Sequence, residues 1–204
     1  MQVRAACEAL RAAALPGLLD LTPAYTTVLA TFDLRRMTPD AETLVRSALS
    51  GIRADHRRPG RRIDVPVCYG GVHGEDLATL AETCGLTSAE AVELHCGVEY
   101  EVAFIGFAPG FAYMHGLPEK LATPRLSSPR TRVAAGSVGI AGGQTGLYPG
   151  GTPGGWRLIG RTPLRVFDAD REPAALLAMG DRVRFVPISQ GEFERRHGLE
   201  ERGR

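Results

Sequence analysis

The second half of the sequence alternates short apolar runs with glycine and proline, and this pattern constrains the fold more than any other feature. From Tyr100 onward it includes the segments YEVAFIGFAPGF, GSVGIAGGQTGLYPGG, GGWRLIGRTPLRVFD and GDRVRFVPI. Runs of this length suit β-strands, and the glycines and prolines between them suit turns. Many short strands at close spacing favour a closed or nearly closed β-barrel, because closure removes exposed strand edges. We expect the functional surface within this half, between Phe104 and Asp168.

The first part of the chain predicts a small α+β domain. Apolar residues recur at helical spacing over residues 1–14, at Val3, Cys7, Leu10 and Ala14. Residues 18–22 and 25–33 then suit two strands, separated by Pro23. A small α+β layer usually has a strand before such a first helix, so we expect one upstream of Met1.

A second helix is predicted from Thr38 onward. Thr38 suits the N-cap, Pro39 suits the first helical position, and acidic residues follow in the first turn. Its expected buried stripe comprises Ala41, Leu44, Val45, Ala48, Leu49 and Ile52. The polar segment HRRPGRR, residues 56–62, is predicted to be a solvated loop. The strand that begins at Ile63 opens the second domain, so we place the two domains at residues 1–62 and 63–204.

Two short helices are expected before the later strands. The apolar face of the first comprises Leu77, Leu80, Ala81 and Cys84. Gly85 suits the position just after that helix, and Thr87 and Glu90 have capping-box spacing at the head of the second. The polar tail QGEFERRHGLEERGR either frays or forms a surface helix.

Charge and composition exclude several classes of function. The 24 basic and 23 acidic residues give a net charge of +1, which provides no strong field for nucleic acid or an anionic membrane. The chain is 44% apolar and can bury a core, and no segment is long and apolar enough to span a bilayer. The start MQVRAACEAL does not resemble a signal peptide, and the four scattered cysteines suit reduced thiols. We therefore expect a cytoplasmic protein whose partners are small molecules or other proteins.

Two segments combine glycine with aromatic residues. YPGGTPGGWRLIGRT surrounds the only tryptophan, Trp156, and its glycine N–H groups suit close approach to a ligand. Turns between barrel strands explain the same pattern equally well. In GFAPGFAY the aromatic residues around a Pro-Gly turn are Phe107, Phe111 and Tyr113. This arrangement suits either the wall of a pocket or a hydrophobic plug at the barrel mouth.

Polar candidates are fewer, and each has a structural alternative. Gln144 in GGQTG can bind a carboxylate, lactam or amide through its donor and its acceptor, or it is a satisfied turn residue. His95 ends a helix, where it suits a general base or is simply stabilised by the helix dipole. The segment TPRLSSPRTRV contains Arg125, Arg130 and Arg132. Such a group suits carboxylate or phosphate binding as well as a solvated loop or rim ion pairs.

Several catalytic motifs are absent from the sequence. It contains no P-loop and no G-x-S-x-G nucleophile motif. The spacing of the histidines predicts no metal site. Nothing distinguishes Cys68 from a buried thiol. We therefore expect no self-sufficient catalytic set on this chain.

Taken together, the motifs of this sequence resemble the family called allophanate hydrolase subunit 1. They are CYGG (68–71), Glu99-Tyr100, GFAPGFAY (106–113), LATPR (121–125), PRTRV (129–133), AGSVGIAGGQTG (135–146), Tyr148-Pro149, PGGW (153–156) and LIGRTPLRVFD (158–168). The family includes the B subunit of bacterial ATP-dependent 5-oxoprolinase and Kip-type inhibitors of histidine kinases.

This resemblance implies a small α+β domain followed by a cyclophilin-like β-barrel. It also implies a partner, allophanate hydrolase subunit 2 or the 5-oxoprolinase C subunit. In 5-oxoprolinase a further protein, the A subunit, joins the pair, and the complex hydrolyses 5-oxo-L-proline to L-glutamate with ATP as co-substrate. The absent P-loop leaves ATP to a partner or a shared cleft. Two alternatives stay open: a Kip-type inhibitor of a sensor histidine kinase, and a subunit of an allophanate hydrolase or urea-carboxylase-like complex.

Opening a lactam requires a site that holds a carboxylate, a planar amide and a developing oxyanion. With the family resemblance in mind, we expect His95 to move a proton and Gln144 to orient the amide. Arg130 or Arg161 is expected to hold the carboxylate. The other expected substrate-binding residues are Phe107, Pro109, Gly110, Phe111, Tyr113, Gly143, Tyr148, Gly154, Gly155 and Trp156.

Overall fold

The chain divides into two compact units, Met1–Pro59 and Gly60–Arg204. The computed structural model describes residues 2–50, 52 and 60–202. Residues 56–59 of the predicted polar loop lie outside these ranges. None of the helices in the described part of the chain combines the length and the apolar character needed to cross a bilayer.

The first unit contains two helices and a two-stranded antiparallel sheet. Its described elements are α1 (Gln2–Ala12), β1 (Leu18–Pro23), β2 (Val28–Phe32) and α2 (Ala41–Leu49). As the apolar spacing predicts, one face of α1 buries Val3, Cys7 and Leu10. Ala14 does not extend this face, because the helix ends at Ala12 and Ala14 is exposed with a left-handed φ of 44°.

The predicted start of α2 is wrong, and its predicted stripe is half-buried rather than buried. The helix begins at Ala41, and Thr38 does not cap it, since the buried Thr38 Oγ1 has no hydrogen-bond partner among the described residues. No residue of α2 is fully buried, and Leu44 is 37% exposed. The helix packs on α1, but a unit this small has too little apolar surface to enclose a second helix.

The second unit is built around a closed β-barrel. Its strands are β3 (Arg62–Tyr69), β4 (Tyr100–Ile105), β5 (Ala112–His115), β6 (Arg130–Val133), β7 (Ser137–Ala141), β8 (Gln144–Leu147), β9 (Thr152–Gly154), β10 (Arg157–Arg161) and β11 (Arg182–Pro187). Seven of the described strands close the barrel in the order β10-β3-β11-β4-β5-β8-β7, and β7 pairs with β10 to complete it. β3 and β11 are parallel. β6 and β9 form a separate two-stranded ribbon.

Three helices accompany the barrel in the described residues: α3 (Leu77–Thr83), α4 (Ser88–Cys96) and α5 (Gln190–Arg202). α3 packs on β10 and α4 on β11. The predicted capping box is confirmed, since Thr87 Oγ1 accepts from the Glu90 backbone N–H at 3.2 Å and the Glu90 carboxylate accepts from the Thr87 N–H at 2.7 Å. Of the two alternatives for the polar tail, the helix is present as α5, and its Phe193 is buried.

Apolar side chains fill the interior of the barrel. They include Val65, Val67, Tyr100, Val102, Met114, Val138, Ile140, Leu147, Ile159, Val183 and Phe185. These residues come from alternating positions of the barrel strands, as expected for strands with one face in a core. The predicted α+β fold with a closed barrel is confirmed. Because side chains fill the interior of the barrel, the candidate site lies on its outer face.

Candidate functional site

A second apolar cluster lies on the outer face of the barrel. Its members are Phe111, Val133, Ala141, Tyr148, Trp156 and Leu158. Strand alternation explains why it is separate from the core. On β8, Thr145 and Leu147 point into the barrel, so Gln144 and Gly146 face outward. We use the name outer aromatic cluster for the aromatic residues in and beside it, which are Phe104, Phe107, Phe111, Tyr113, Tyr148 and Trp156.

Two glycines form the floor of the outer aromatic cluster. Gly139 of β7 and Gly146 of β8 are paired directly across the two strands. A Cβ on Gly139 would lie 3.0 Å from Trp156 Cβ, and a Cβ on Gly146 would lie 2.8 Å from Trp156 Cζ3. The missing side chains therefore let the indole lie directly on the strand backbone.

Contacts between rings hold the cluster together. Phe111 meets Tyr148 and Trp156 edge to face, at centroid distances of 4.9 and 5.4 Å. Tyr113 meets Trp156 in the same way at 5.7 Å, and it stacks on Phe104 at 4.4 Å. Such pairs add about 0.5–1.5 kcal/mol each beyond the burial of their area. The cluster is therefore a connected platform whose rings fix one another.

The outer aromatic cluster has a buried base and an exposed rim. Phe111, Tyr148 and Trp156 are buried, Tyr113 is half-buried, and Phe107 is 62% exposed. Phe107 also has a left-handed φ of 67°. A bulky residue adopts this conformation only where its surroundings impose it, and such strain is concentrated at functional positions. Phe107 and Tyr113 therefore form the solvent-accessible rim of the platform.

Gln144 lies at the start of β8, two residues before Gly146, which is paired with Tyr113. It faces the same side of the barrel as Gly146, and its cross-strand partner Ala141 belongs to the outer apolar cluster. Gln144 is half-buried, and its side-chain amide has no hydrogen-bond partner in the described part of the chain. The preceding turn residues Gly142 and Gly143 are exposed. An uncommitted amide beside an apolar surface is suited to pair with a ligand amide through both donor and acceptor.

Two of the predicted ligand-contacting glycines are required for packing within the chain. A Cβ on Gly154 would lie 2.5 Å from the Tyr148 hydroxyl oxygen. Gly110 has a left-handed φ of 84°, and a Cβ there would lie 2.8 Å from the side chain of Phe167. Both positions therefore demand glycine without any ligand. Pro109, which precedes Gly110, is exposed at the turn.

Arg130 is already bound by acids of its own chain. Its Nε donates to the Glu75 carboxylate at 2.8 Å, and its Nη2 donates to both carboxylate oxygens of Asp76 at 2.8 Å. Asp76 also accepts from the Leu158 backbone N–H at 2.6 Å. The guanidinium therefore ties β6 to the start of α3. This arrangement does not support the expected role of Arg130 in holding a substrate carboxylate.

Arg161 is not brought to the outer aromatic cluster. It lies at the opposite end of β10 from Trp156, where its Nε donates to the Ala135 carbonyl at 2.7 Å. Its guanidinium lies over the ring of Phe193 in α5, 5.7 Å from the centroid. These contacts associate Arg161 with the packing of α5.

His95 is fully buried inside the barrel, with a partner at each ring nitrogen. Nδ1 lies 2.8 Å from the Tyr69 hydroxyl, and Nε2 lies 3.0 Å from Thr145 Oγ1. The Thr145 hydroxyl donates to the Gly139 carbonyl at 3.1 Å, so it accepts from Nε2–H, and Nδ1 accepts from Tyr69. Desolvation lowers the pKa of His95 to about 3, which keeps the ring neutral.

This placement separates His95 from the outer aromatic cluster by the β8 backbone. The neutral His95 ring has both nitrogens hydrogen-bonded and contacts β8 through Thr145 from inside the barrel. This geometry does not support the expected role of His95 in proton transfer. No group of three or more His, Cys, Asp or Glu side chains that could hold a metal ion occurs among the residues described by the structure.

Arg125 belongs to the arginine group named from the sequence, where the carboxylate role was expected of Arg130 or Arg161 instead. Its guanidinium carbon lies over the ring of Trp156, 6.0 Å from the centroid. It has no carboxylate partner within the described ranges. Just after it, the Leu126 N–H donates to the Gly155 carbonyl at 2.7 Å, which attaches this segment to the residue before Trp156. The sequence showed a group of arginines here, but spacing alone does not reveal which of them lacks an acid partner.

The fold and the site define a β-barrel protein with a connected aromatic platform on its outer face. A family model described as carboxyltransferase domain, subdomain C and D, matches residues 1–177. The chain therefore belongs to the carboxyltransferase subdomain C and D family. With the relatives described next, this match confirms the resemblance predicted from the sequence motifs.

Two relatives share one name. Over 131 residues the chain is 57% identical to the 5-oxoprolinase B subunit of Escherichia coli O157:H7, and the match covers 64% of this chain and 60% of that protein. Over 202 residues it is 40% identical to the 5-oxoprolinase B subunit of Bacillus subtilis strain 168, covering 94% of this chain and 84% of that protein. A crystal structure of TTHA0988 has a TM-score of 0.81 at 38% identity, covering 92% of this chain and 36% of that one.

Proposed function

We propose that this chain is the B subunit of an ATP-dependent 5-oxoprolinase, which hydrolyses 5-oxo-L-proline to L-glutamate together with the A and C subunits. The observation that carries the proposal is the 40% identity, over nearly the whole chain, to a protein named as the B subunit of 5-oxoprolinase. The outer aromatic cluster fits this substrate, because 5-oxoproline is a small ring that carries one planar amide and one carboxylate.

In this proposal the chain binds and orients the lactam. The exposed ring of Phe107 and the half-buried ring of Tyr113 provide an apolar surface for the five-membered ring. The uncommitted amide of Gln144 pairs with the lactam, accepting from its N–H and donating to its carbonyl oxygen. Two hydrogen bonds in one plane fix the orientation of the scissile amide, which increases the share of bound substrate in a reactive geometry.

The remaining chemistry is assigned to the rest of the complex. The rest of the complex would hold ATP, whose γ-phosphoryl group, transferred to the lactam oxygen with release of ADP, would make the amide carbonyl more electrophilic. This chain has no P-loop sequence, so we assign the ATP-binding residues to a partner protein or to a shared cleft. Burial raises the pKa of the four thiols, those of Cys7, Cys68, Cys84 and Cys96. None of them supplies a thiolate nucleophile near neutral pH, so we expect the chain to be inactive alone.

We also propose that the C subunit is the direct partner of this chain. The chain corresponds to 36% of the TTHA0988 polypeptide, so the similar region in that protein is joined to a much longer chain. This supports a role as one part of a larger assembly. The four free cysteines suit the reducing conditions of a cytoplasm, where we place the complex.

Reconstitution tests the proposal. The chain is co-expressed with the A and C subunits from the same source, and glutamate is measured with and without ATP and 5-oxoproline. We expect glutamate only when all three proteins and ATP are present. A folded, ATP-supplied complex that forms no glutamate contradicts the proposal. Binding of the chain to a sensor histidine kinase, with no requirement for the A subunit, would instead favour the Kip-type alternative.

A further inference from the structure

We infer that Arg125, held over the face of Trp156, binds the carboxylate of the ligand at the outer aromatic cluster. The inference rests on the proposed function for the identity of that ligand, 5-oxoproline. It deepens the proposal by assigning the residue that recognises the acid, a task for which the sequence favoured Arg130 or Arg161.

The arginines near Trp156 differ in what their guanidinium groups already bind. The fork of Arg130 is filled by two carboxylates, and the Nε of Arg157 donates to the Pro124 carbonyl at 3.2 Å. Arg125 has no acid partner in the described part of the chain, although it lies at the buried Trp156. An exposed cation–π contact contributes only about 0.5–1 kcal/mol, so it leaves the charge of Arg125 available for an anion.

The backbone around Arg125 is anchored on both sides. Before it, the Gly142 N–H donates to the Thr123 carbonyl at 2.7 Å, and these two residues form a β-bridge. After it, the Leu126 N–H donates to the Gly155 carbonyl at 2.7 Å. Arg125 therefore extends from a segment fixed to the β7–β8 turn and to the residue before Trp156. Its position over the indole does not depend on an ion pair of its own.

This position suits the recognition of a carboxylate next to a flat ring. A guanidinium that lies over an aromatic face keeps the N–H groups on its edge, where they match a carboxylate in a bidentate fashion. Burial raises the pKa of Tyr113, and the nearby charge of Arg125 opposes that rise, so the two side chains share one environment. Gln144 lies about 7 Å along β8 from Gly146, the residue beneath the indole. An acid held by Arg125 thus places an attached lactam near Tyr113 and Gln144.

The only tryptophan of the chain gives a direct readout of this contact. The fluorescence of Trp156 in the full chain is titrated with 5-oxoproline and with 2-pyrrolidinone, the same lactam without the carboxylate. We expect wild type to bind 5-oxoproline at least about tenfold more tightly, and Arg125→Gln to remove that preference. Arg132→Gln is the matched control, since Arg132 is also exposed and without an acid partner in the described ranges. Identical responses of wild type and Arg125→Gln overturn the inference.

Kinetics of the assembled complex separate this inference from the proposed function. Arg125→Gln is expected to raise KM for 5-oxoproline about tenfold or more with little change in kcat. Arg125→Lys keeps the positive charge but lacks the planar guanidinium. Its KM is therefore expected to lie between those of wild type and Arg125→Gln. Weaker assembly of the complex in Arg125→Gln, with KM unchanged in the complex that does form, would show that Arg125 pairs with an acid of a partner and would overturn the inference. A wild-type complex that forms no glutamate contradicts the proposed function. If the chain still prefers 5-oxoproline to 2-pyrrolidinone in the fluorescence titration, that result supports the carboxylate site independently.

Discussion

The indole of Trp156 rests on Gly146, the β8 residue directly opposite Tyr113 of β5. A Cβ at Gly146 would lie 2.8 Å from Trp156 Cζ3 and 2.9 Å from Phe111 Cζ. The absence of a side chain at Gly146 therefore determines how closely the indole approaches the β8 backbone. Through the edge contact between Trp156 and Tyr113, it also influences the position of Tyr113 at the rim of the platform.

We predict that Gly146→Ala disturbs the platform and lowers the free energy of unfolding by about 1–3 kcal/mol, the usual cost of overpacking. Gly143→Ala is the matched control, because nothing lies within 4 Å of a Cβ at that turn position. Urea unfolding followed by Trp156 fluorescence measures both variants. Equal free energies of unfolding for Gly146→Ala and Gly143→Ala would show that packing of the indole does not require glycine at position 146.

The contact between Arg130 and Asp76 is expected to stabilise the attachment of β6 to α3. Asp76→Ala removes an acceptor used by Arg130 and by the Leu158 N–H, and we expect a loss of about 2–3 kcal/mol. The comparison variant is Asp64→Ala, which breaks the Arg184–Asp64 pair, whose side chains are 61% and 58% exposed. Thermal unfolding should show a clearly smaller effect for that exposed pair. A similar effect of the two substitutions would refute the structural role assigned to Arg130.

Burial of His95 makes stability depend on pH in a defined direction. Its folded pKa is about 3, against an ordinary value of 6.5, so between these values the unfolded chain binds a proton that the folded chain does not. Stability therefore falls as pH drops through 6.5, and His95 should contribute a loss of about 2 kcal/mol between pH 7 and pH 5.

Urea unfolding at pH 7 and pH 5 measures this loss of stability. In His95→Gln the decrease between the two pH values should be about 2 kcal/mol smaller than in wild type. In NMR spectra, His95 should remain the neutral Nε2–H tautomer down to pH 5. Titration of its ring near pH 6.5 in the folded chain would contradict the buried placement.

The strained backbone of Phe107 predicts a separation of stability from activity. Phe107→Gly replaces a bulky residue in a left-handed backbone conformation with glycine, which adopts that conformation without strain. We therefore expect the free energy of unfolding to be unchanged or to rise by up to about 1 kcal/mol. Activity of the complex should fall, because the exposed ring is lost. Ala14→Gly, which also relieves a left-handed residue, should match the stability effect and leave activity intact. A loss of more than about 2 kcal/mol in Phe107→Gly would mean that the ring serves the fold, as core substitutions of this kind do.

Local signals in the sequence predicted local structure well. The pair Thr87 and Glu90 forms the expected capping box, because its contacts lie within one helical turn. The spacing of Cys7 and Leu10 marked a buried helical face for the same reason. The density of turn residues after Tyr100 indicated a barrel, since closure is the usual way to satisfy many short strands.

Features set by distant parts of the chain were not predictable in this way. The stripe of α2 looked buried, but burial depends on how much surface the rest of the unit offers. Arg130 and Arg125 look alike in sequence, and only the fold places Asp76 beside one and Trp156 beside the other. Gly110 and Gly154 suggested contacts with a ligand, whereas they prove to make room for Phe167 and Tyr148 of the same chain.

The most direct test of the site measures glutamate formation by the assembled complex with Gln144→Leu. This substitution keeps the approximate volume of the side chain and removes the amide that we assign to the lactam. Gln190→Leu in α5, where the amide donates to the Glu194 carboxylate, is the matched control. We predict that kcat/KM falls about tenfold or more in Gln144→Leu and stays unchanged in Gln190→Leu. Equal turnover by Gln144→Leu and wild type, in complexes that assemble equally, would contradict the placement of the substrate at the outer aromatic cluster.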